Sequence, residues 1–260
     1  MTPLYFMIAL GATILGSSAG LGGGVIIKPI LDFLGHFNVV TIGIMSSFTV
    51  FSMAVVSVIR QIRYKAKIDF RKTILIGIGS IFGGVLGDKI MSLIIKLTGD
   101  TIVRLSQSII LLILLIFIYI YMNNREKYKS YNVNNSLACI FIGVLLGTIA
   151  SFLSIGGGPI NVCILTIFFS MDTKEAAVNS IITILFSQGS KLISIAKAGT
   201  LHNVDFRILI FMIVGGIAGG LIGSSLNKKL NSKYILKIFN YVLISLVILN
   251  FYNVFTTVSL

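Results

Sequence analysis

Charge is what this chain has least of. Asp, Glu, Lys and Arg make up 11% of its 260 residues, against 56% hydrophobic, and the mean hydropathy is +1.00. A soluble domain carries about 25% charged residues. The chain cannot cover a water-facing surface, and lipid is the solvent that suits it. Cysteine and histidine are almost as scarce. Cys139 and Cys163 both lie in apolar stretches and His36 and His202 stand alone, so no CxxC or Cys/His cluster exists to hold a metal. The two cysteines read as small buried hydrophobes. No Ser/His pair, paired aspartates or HExxH lies at bilayer depth, which argues against an intramembrane enzyme. No cofactor is expected.

The net charge of +13 does not signal nucleic acid. The basic residues sit in short loops between apolar stretches, where membrane topology places them, and no basic face with interleaved aromatics is present. Met1, Thr2 and Pro3 directly precede the first apolar stretch without a basic region, so no cleavable signal peptide is expected.

Apolar segments recur over residues 3–19, 24–34, 39–59, 73–95, 102–122, 136–153, 158–169, 175–197, 206–226 and 234–256. Segments 24–34 and 158–169 are too short for a hydrocarbon core of about 30 Å at a rise of about 1.5 Å per residue. Each follows a glycine triplet, GLGGGV at 20–25 and SIGGGP at 154–159. Three glycines destabilise a helix by about 1 kcal/mol each relative to alanine, so the chain is expected to break there.

The breaks belong to a repeat. DFRKTILIGIGSIFGGVLGDKI at 69–90 and DFRILIFMIVGGIAGGLIGSSL at 205–226 share nine of 22 positions, and the triplets align at nearly the same offset. Residues 1–122 and 136–260 read as two homologous membrane repeats, joined by the basic polar linker 123–135. Gly79, Gly83 and Gly87, like Gly215, Gly219 and Gly223, fall on one helix face and should admit a close neighbour. Asp69 and Asp205 stand where helix caps belong.

The predicted fold is therefore an all-α polytopic membrane protein of about eight spans. Each half is a Gly-broken or re-entrant helix followed by three full transmembrane helices. If the broken segments are hairpins, the repeats are inverted. One side then collects 14 Lys and Arg, from Arg60 to Lys72, Arg125 to Lys129, Lys174 and Lys228 to Lys237. The other collects six, namely Lys89, Lys96, Arg104, Lys191, Lys197 and Arg207, with Lys28 set apart as intramembrane. Single crossings would give parallel repeats and a flatter division of 12 to 8, so the asymmetry favours hairpins.

Irregular backbone at bilayer depth is tolerated only inside protein or beside a water-filled cavity. The stub helix after each break turns free amides and a partial positive charge toward it, and glycine lets a ligand reach them. That is an anion site. The candidate substrate-binding residues are Gly22, Gly23, Gly24, Gly156, Gly157 and Gly158, with Ser154 and Asn161 beside the second break. Ser46, Ser47 and Thr49 on the neighbouring segment correspond roughly to Asn179, Ser180 and Thr183, and of these Ser47, Thr49, Ser180 and Thr183 join the candidate set. Lys28 joins it as a cation within an apolar stub, with Asp32 at i+4 as its rival partner. No titratable group flanks the second break on this reading. GLGGGV lacks the spacing of a phosphate-binding P-loop. A cation channel or carrier, with the glycines as packing kinks, is the alternative, and only Asp32 supports it.

GLGGGVIIKP at 20–29, SIGGGP at 154–159 and two glycine-zipper helices each opened by DF resemble the TauE/SafE family of sulfite exporters and toluene-sulfonate uptake permeases, across essentially the whole chain. The family pattern keeps a proline past the first triplet, here Pro29. The second half has Pro159 directly after its glycines and Cys163 where Pro29 would align. The resemblance implies a multi-pass anion permease of the bacterial plasma membrane, with sulfite or an organosulfur oxyanion as solute. It leaves the solute, the coupling ion and homo-oligomerisation open. An inside-negative potential favours export of an uncoupled anion, by roughly 2.3 kcal/mol per charge at 100 mV.

Overall fold

A computed structural model describes residues 2–199 and 204–258; His202 lies outside them. The described residues form ten α-helices and no strand: α1 (Thr2–Ala19), α2 (Gly24–Leu34), α3 (Val39–Arg63), α4 (Phe70–Thr98), α5 (Asp100–Asn123), α6 (Ser136–Phe152), α7 (Gly158–Phe169), α8 (Thr173–Ala198), α9 (Phe206–Lys229) and α10 (Ser232–Val258). Seven of them, α1, α3, α4, α5, α8, α9 and α10, are long and apolar enough to cross a membrane. The two stubs after the triplets are α2, with 11 residues, and α7, with 12.

Polar side chains set where the long helices start. Asn38 caps α3 by accepting from the Thr41 amide, and Asp69 caps α4 through Lys72. Asp172 does the same for α8, and Asp205 accepts from both Arg207 and Ile208 at the start of α9. Asp69 and Asp205 therefore have the capping role expected of them.

Both broken segments double back. The Tyr5 hydroxyl, near the start of α1, lies 2.7 Å from His36 Nδ1, just past α2. The Tyr131 and Val133 amides, just before α6, donate to Ile167 and Phe168 carbonyls at the end of α7, at 2.7 and 2.9 Å. A chain whose two arms meet at their outer ends is a hairpin, and each glycine triplet is its tip.

The zipper helices pack against these hairpins across the sequence. In α4, a Cβ at Gly79, Gly83 or Gly87 would land on the Ile140, Val144 or Thr148 carbonyl of α6. In α9, Gly215, Gly219 and Gly223 press in the same way on Phe6 O, Thr13 Oγ1 and Ser17 Oγ of α1. Backbone contact this close needs small residues. A valine at Gly83 would displace a carbonyl that cannot rotate away. Overpacking costs about 1–3 kcal/mol, and we expect Gly83→Val near the upper end, read as a lowered unfolding midpoint in detergent.

Contact order along the helices gives their directions. Thr73 of α4 donates to Asn179 of α8 at 2.6 Å and Ser190 of α8 to the Ile81 carbonyl at 3.0 Å, so these helices run parallel. Gly216 of α9 lies against Thr49 of α3 and Gly220 against Met53, so α3 runs parallel to α9. Helices α3 and α8 run opposite ways. Lys67, just past α3, donates to Glu175 in the first turn of α8 at 2.8 Å, while Gly43, early in α3, lies beside the Lys191 ammonium late in α8. The hydrogen bond to Glu175, and then its negative charge, raise the Lys67 pKa above the usual lysine value.

Candidate functional site

The two hairpin tips meet at the centre of the bundle, and their geometry accounts for three glycines in each. Gly22 and Gly23 have φ of 79° and 71°, Gly156 and Gly157 of 76° and 78°. This left-handed region is costly for any residue with a Cβ. The third glycine answers a different demand. A Cβ on Gly158 would fall on the Leu21 carbonyl of the other tip, and one on Gly24 would lie 2.6 Å from the Ile155 carbonyl. Two glycines turn the chain, and the third lets the opposite tip pass. Ser180 of α8 braces the junction, donating to the Gly20 carbonyl at 2.8 Å with the Gly158 carbonyl 3.4 Å away.

The structure separates the remaining candidates. Ser47, Thr49 and Thr183 each hydrogen-bond a carbonyl one turn back in their own helix, at 2.7, 2.8 and 3.2 Å, the common fate of buried Ser and Thr. Lys28 is locked to Asp32 at 2.6 Å, with both side chains 2% exposed, and Arg104 approaches the same carboxylate at 3.4 Å. Asn161 is buried behind the second tip; its side chain flanks the space a Gly157 Cβ would fill, and its Oδ1 has no hydrogen-bond partner among the described residues. Ser154 is held at φ 56°, a strained conformation for a serine, within the second tip itself.

Beside Ser154 stands a group whose placement the sequence did not reveal. Lys191, counted above among the cations of one membrane face, is 3% exposed within α8. Its Nζ lies 3.0 Å from Ser154 Oγ, 3.4 Å from the Ser151 carbonyl and 3.7 Å from Asp88 Oδ1. Ser151 Oγ in turn donates to Asp88 Oδ1 at 2.6 Å. The expectation that no titratable group flanks the second break is thus corrected: α4 and α8 bring an acid and a base to it. The repeat held a usable signal. At the offsets that align the halves, Lys191 matches Ser57 and Asp88 matches Ser224, so charge appears inside otherwise apolar, matched helices on one side alone.

Two cavities that share part of their lining flank this cluster. The outer, of about 900 Å³, is lined by Asp88, Lys89, Ser92, Lys96, Ser194 and Lys197 among others. The inner, of about 120 Å³, shares Asp88, Ser92 and Ser194 with it and ends on Gly43 and Lys191. Three lysines against one carboxylate make the outer vestibule electropositive, which concentrates anions at its mouth. No group of three or more His, Cys, Asp or Glu side chains is placed to hold a metal among the described residues.

Long apolar helices, paired hairpins meeting inside the bundle and a lysine-bearing vestibule that ends beside the second tip define a multi-pass membrane transporter. The chain belongs to the TauE/SafE family: the family described as Sulfite exporter TauE/SafE matches residues 5–251. It is 26% identical over 220 residues to a protein of Methanocaldococcus jannaschii described as a probable membrane transporter, covering 79% of this chain and 78% of that one. No solved structure matches it. The family is one of transporters rather than enzymes.

Proposed function

We propose that the protein is a permease for a small oxyanion, sulfite or an organosulfur anion, and that it works in export. The observation that carries this reading is the electropositive vestibule ending on a buried lysine at the tip of a re-entrant hairpin. Residues 1–122 and 136–260, with 123–135 as linker, act as two inverted repeats. The opposed run of α3 and α8 and the exchanged packing of α4 on α6 and α9 on α1 support that reading. The solute passes where the two tips meet, so Gly22 to Gly24, Gly156 to Gly158, Ser154 and Asn161 line or shape its route. Ser180 holds the tips in register, and Ser47, Thr49 and Thr183 spend their hydroxyls on their own helices beside them. Lys28 acts through its pair with Asp32.

With Lys191 removed from the loop count, five cations face the vestibule side against 14 on the other. The charge-poor side is the outer one, so the vestibule opens outward. A membrane potential of about 100 mV, inside negative, then drives a monoanion toward it with roughly 2.3 kcal/mol.

Proteoliposomes loaded with sulfite, thiosulfate, sulfate, methanesulfonate or chloride provide the test. Sulfite or the sulfonate should leave protein-containing vesicles faster than empty ones, and faster still when a potassium diffusion potential makes the lumen negative. A potassium or sodium current with no anion flux would overturn the proposal in favour of a cation pathway.

A further inference from the structure

We infer that Lys191 and Ser154 form an outward-facing oxyanion subsite in which Asp88 is the resident counter-ion, displaced when the solute binds. The inference rests on the permease reading above and names the residues that would receive its solute.

Two lysines are deeply buried among the described residues, and they are compensated differently. Lys28 has its carboxylate at 2.6 Å, and both partners are shut away from solvent. Lys191 has its carboxylate at 3.7 Å, and the Asp88 side chain is 16% exposed. The nearer oxygens around the Lys191 ammonium are neutral, Ser154 Oγ and the Ser151 carbonyl. Asp88 spends its short hydrogen bond on Ser151 instead. A buried ammonium needs an anion close by, and this one has it at arm's length, at the edge of a cavity.

The cavity has the right scale. Its volume of about 120 Å³ is several times what a single water needs and leaves room for a small polyatomic anion. Gly43 keeps it open. A Cβ there would lie 3.2 Å from Ser154 Oγ and 3.6 Å from Lys191 Nζ, where an incoming oxygen must sit. Ser92 and Ser194 line the same space and offer hydroxyl donors. An oxyanion that enters takes the Lys191 ammonium and the Ser154 hydroxyl. The Asp88 carboxylate, which already lines the vestibule, withdraws toward it and keeps its bond from Ser151. No bond is made or broken. One anion replaces another beside a fixed cation, so the empty site remains neutral and the loaded one returns Asp88 to water. The matching position on the other side holds Ser57, whose hydroxyl lies 3.4 Å from the Gly220 carbonyl, so the subsite is single.

The test uses the full chain in detergent and reads the unfolding midpoint while sulfite, methanesulfonate, sulfate or chloride is titrated. Wild type should be stabilised by at least one oxyanion. Asp88→Asn should lower the half-saturating concentration about tenfold, because a close charge competitor is gone. Gly43→Ala should raise it, and Lys191→Arg should keep a weakened response. Lys191→Met strands the Asp88 carboxylate and risks misfolding, so the double variant Lys191→Met/Asp88→Asn is the decisive one. It should fold and lose the response. An Asp88→Asn protein that binds no more tightly than wild type, or a double variant that responds as wild type does, overturns this assignment and leaves the permease reading standing. If no anion stabilises wild type or Asp88→Asn, both readings fall.

Discussion

A Gly158→Ala protein is expected to lose most of its anion flux and about 3 kcal/mol of stability. The added Cβ would fall on the carbonyl carbon, oxygen and Cα of Leu21, all backbone of the opposite hairpin. A side chain in that position could turn aside, but a peptide unit in a tight tip cannot. Overpacking by one methyl commonly costs about 1–3 kcal/mol, and rigid backbone puts this case at the top of that range. Separation of the tips also alters the point where the proposed route for the solute runs. Gly24→Ala meets the Ile155 carbonyl at 2.6 Å, so its effect has the same sign and a smaller size. Gly157→Leu should abolish flux for a different reason, since Gly157 holds φ at 78° and its Cβ would lie 2.8 Å from that of Ala150. Gly11 provides the control. It is helical, with nothing within 4 Å of its added Cβ, and alanine there should leave flux unchanged and raise stability by roughly 0.5–1 kcal/mol. Sulfite efflux from vesicles and unfolding midpoints in detergent check all four. Normal flux through a folded Gly158→Ala protein would remove the tips from the pathway.

The elements were legible because lipid imposes its period and length on the sequence. The short segments 24–34 and 158–169 coincide with α2 and α7, and the breaks fall at the triplets. Asp69 and Asp205 showed themselves as caps because a carboxylate before an apolar run has few other uses. Partnership was not legible. The zipper glycines marked a close contact, yet nothing local says that α4 meets α6 rather than a nearer neighbour, since small residues accept any backbone. The third glycine of each triplet likewise answers to the opposite tip, about 134 positions away in the chain. The hydroxyls of Ser47, Thr49 and Thr183 were candidates by position, but whether such a group turns inward or back onto its helix depends on a rotamer. Lys191 hid for a related reason. A lysine near the end of a long helix looks like a membrane-face anchor, and only the tilt and depth of α8 decide otherwise.

Asp32→Ala should be the most damaging single change to a charged residue in the first hairpin. It leaves Lys28, 2% exposed, without the carboxylate 2.6 Å away. Removal of one partner from a buried ion pair costs about 3–5 kcal/mol, while replacement of both by apolar groups is often neutral or better. The double variant Lys28→Met/Asp32→Leu should therefore unfold near the wild-type temperature where the single variant does not. Arg104 adds a smaller cost that both variants share. It reaches Asp32 Oδ1 at 3.4 Å and donates to the Phe37 carbonyl at 2.9 Å, so the lost carboxylate also loosens α5 from the outer end of α2. Transport by the double variant then separates two roles for the pair. Retained sulfite efflux means that Lys28 and Asp32 hold the hairpin together and touch no solute, which their mutual closeness implies. Flux lost from a double variant as stable as wild type would place Lys28 on the pathway. Asp32→Asn completes the test, because acidic side chains are one way to build a cation pathway and Asp32 is the one acid among the described residues of the first hairpin. Anion flux that survives the amide, with no cation current before or after the change, leaves Asp32 a structural counter-ion and the oxyanion as the solute.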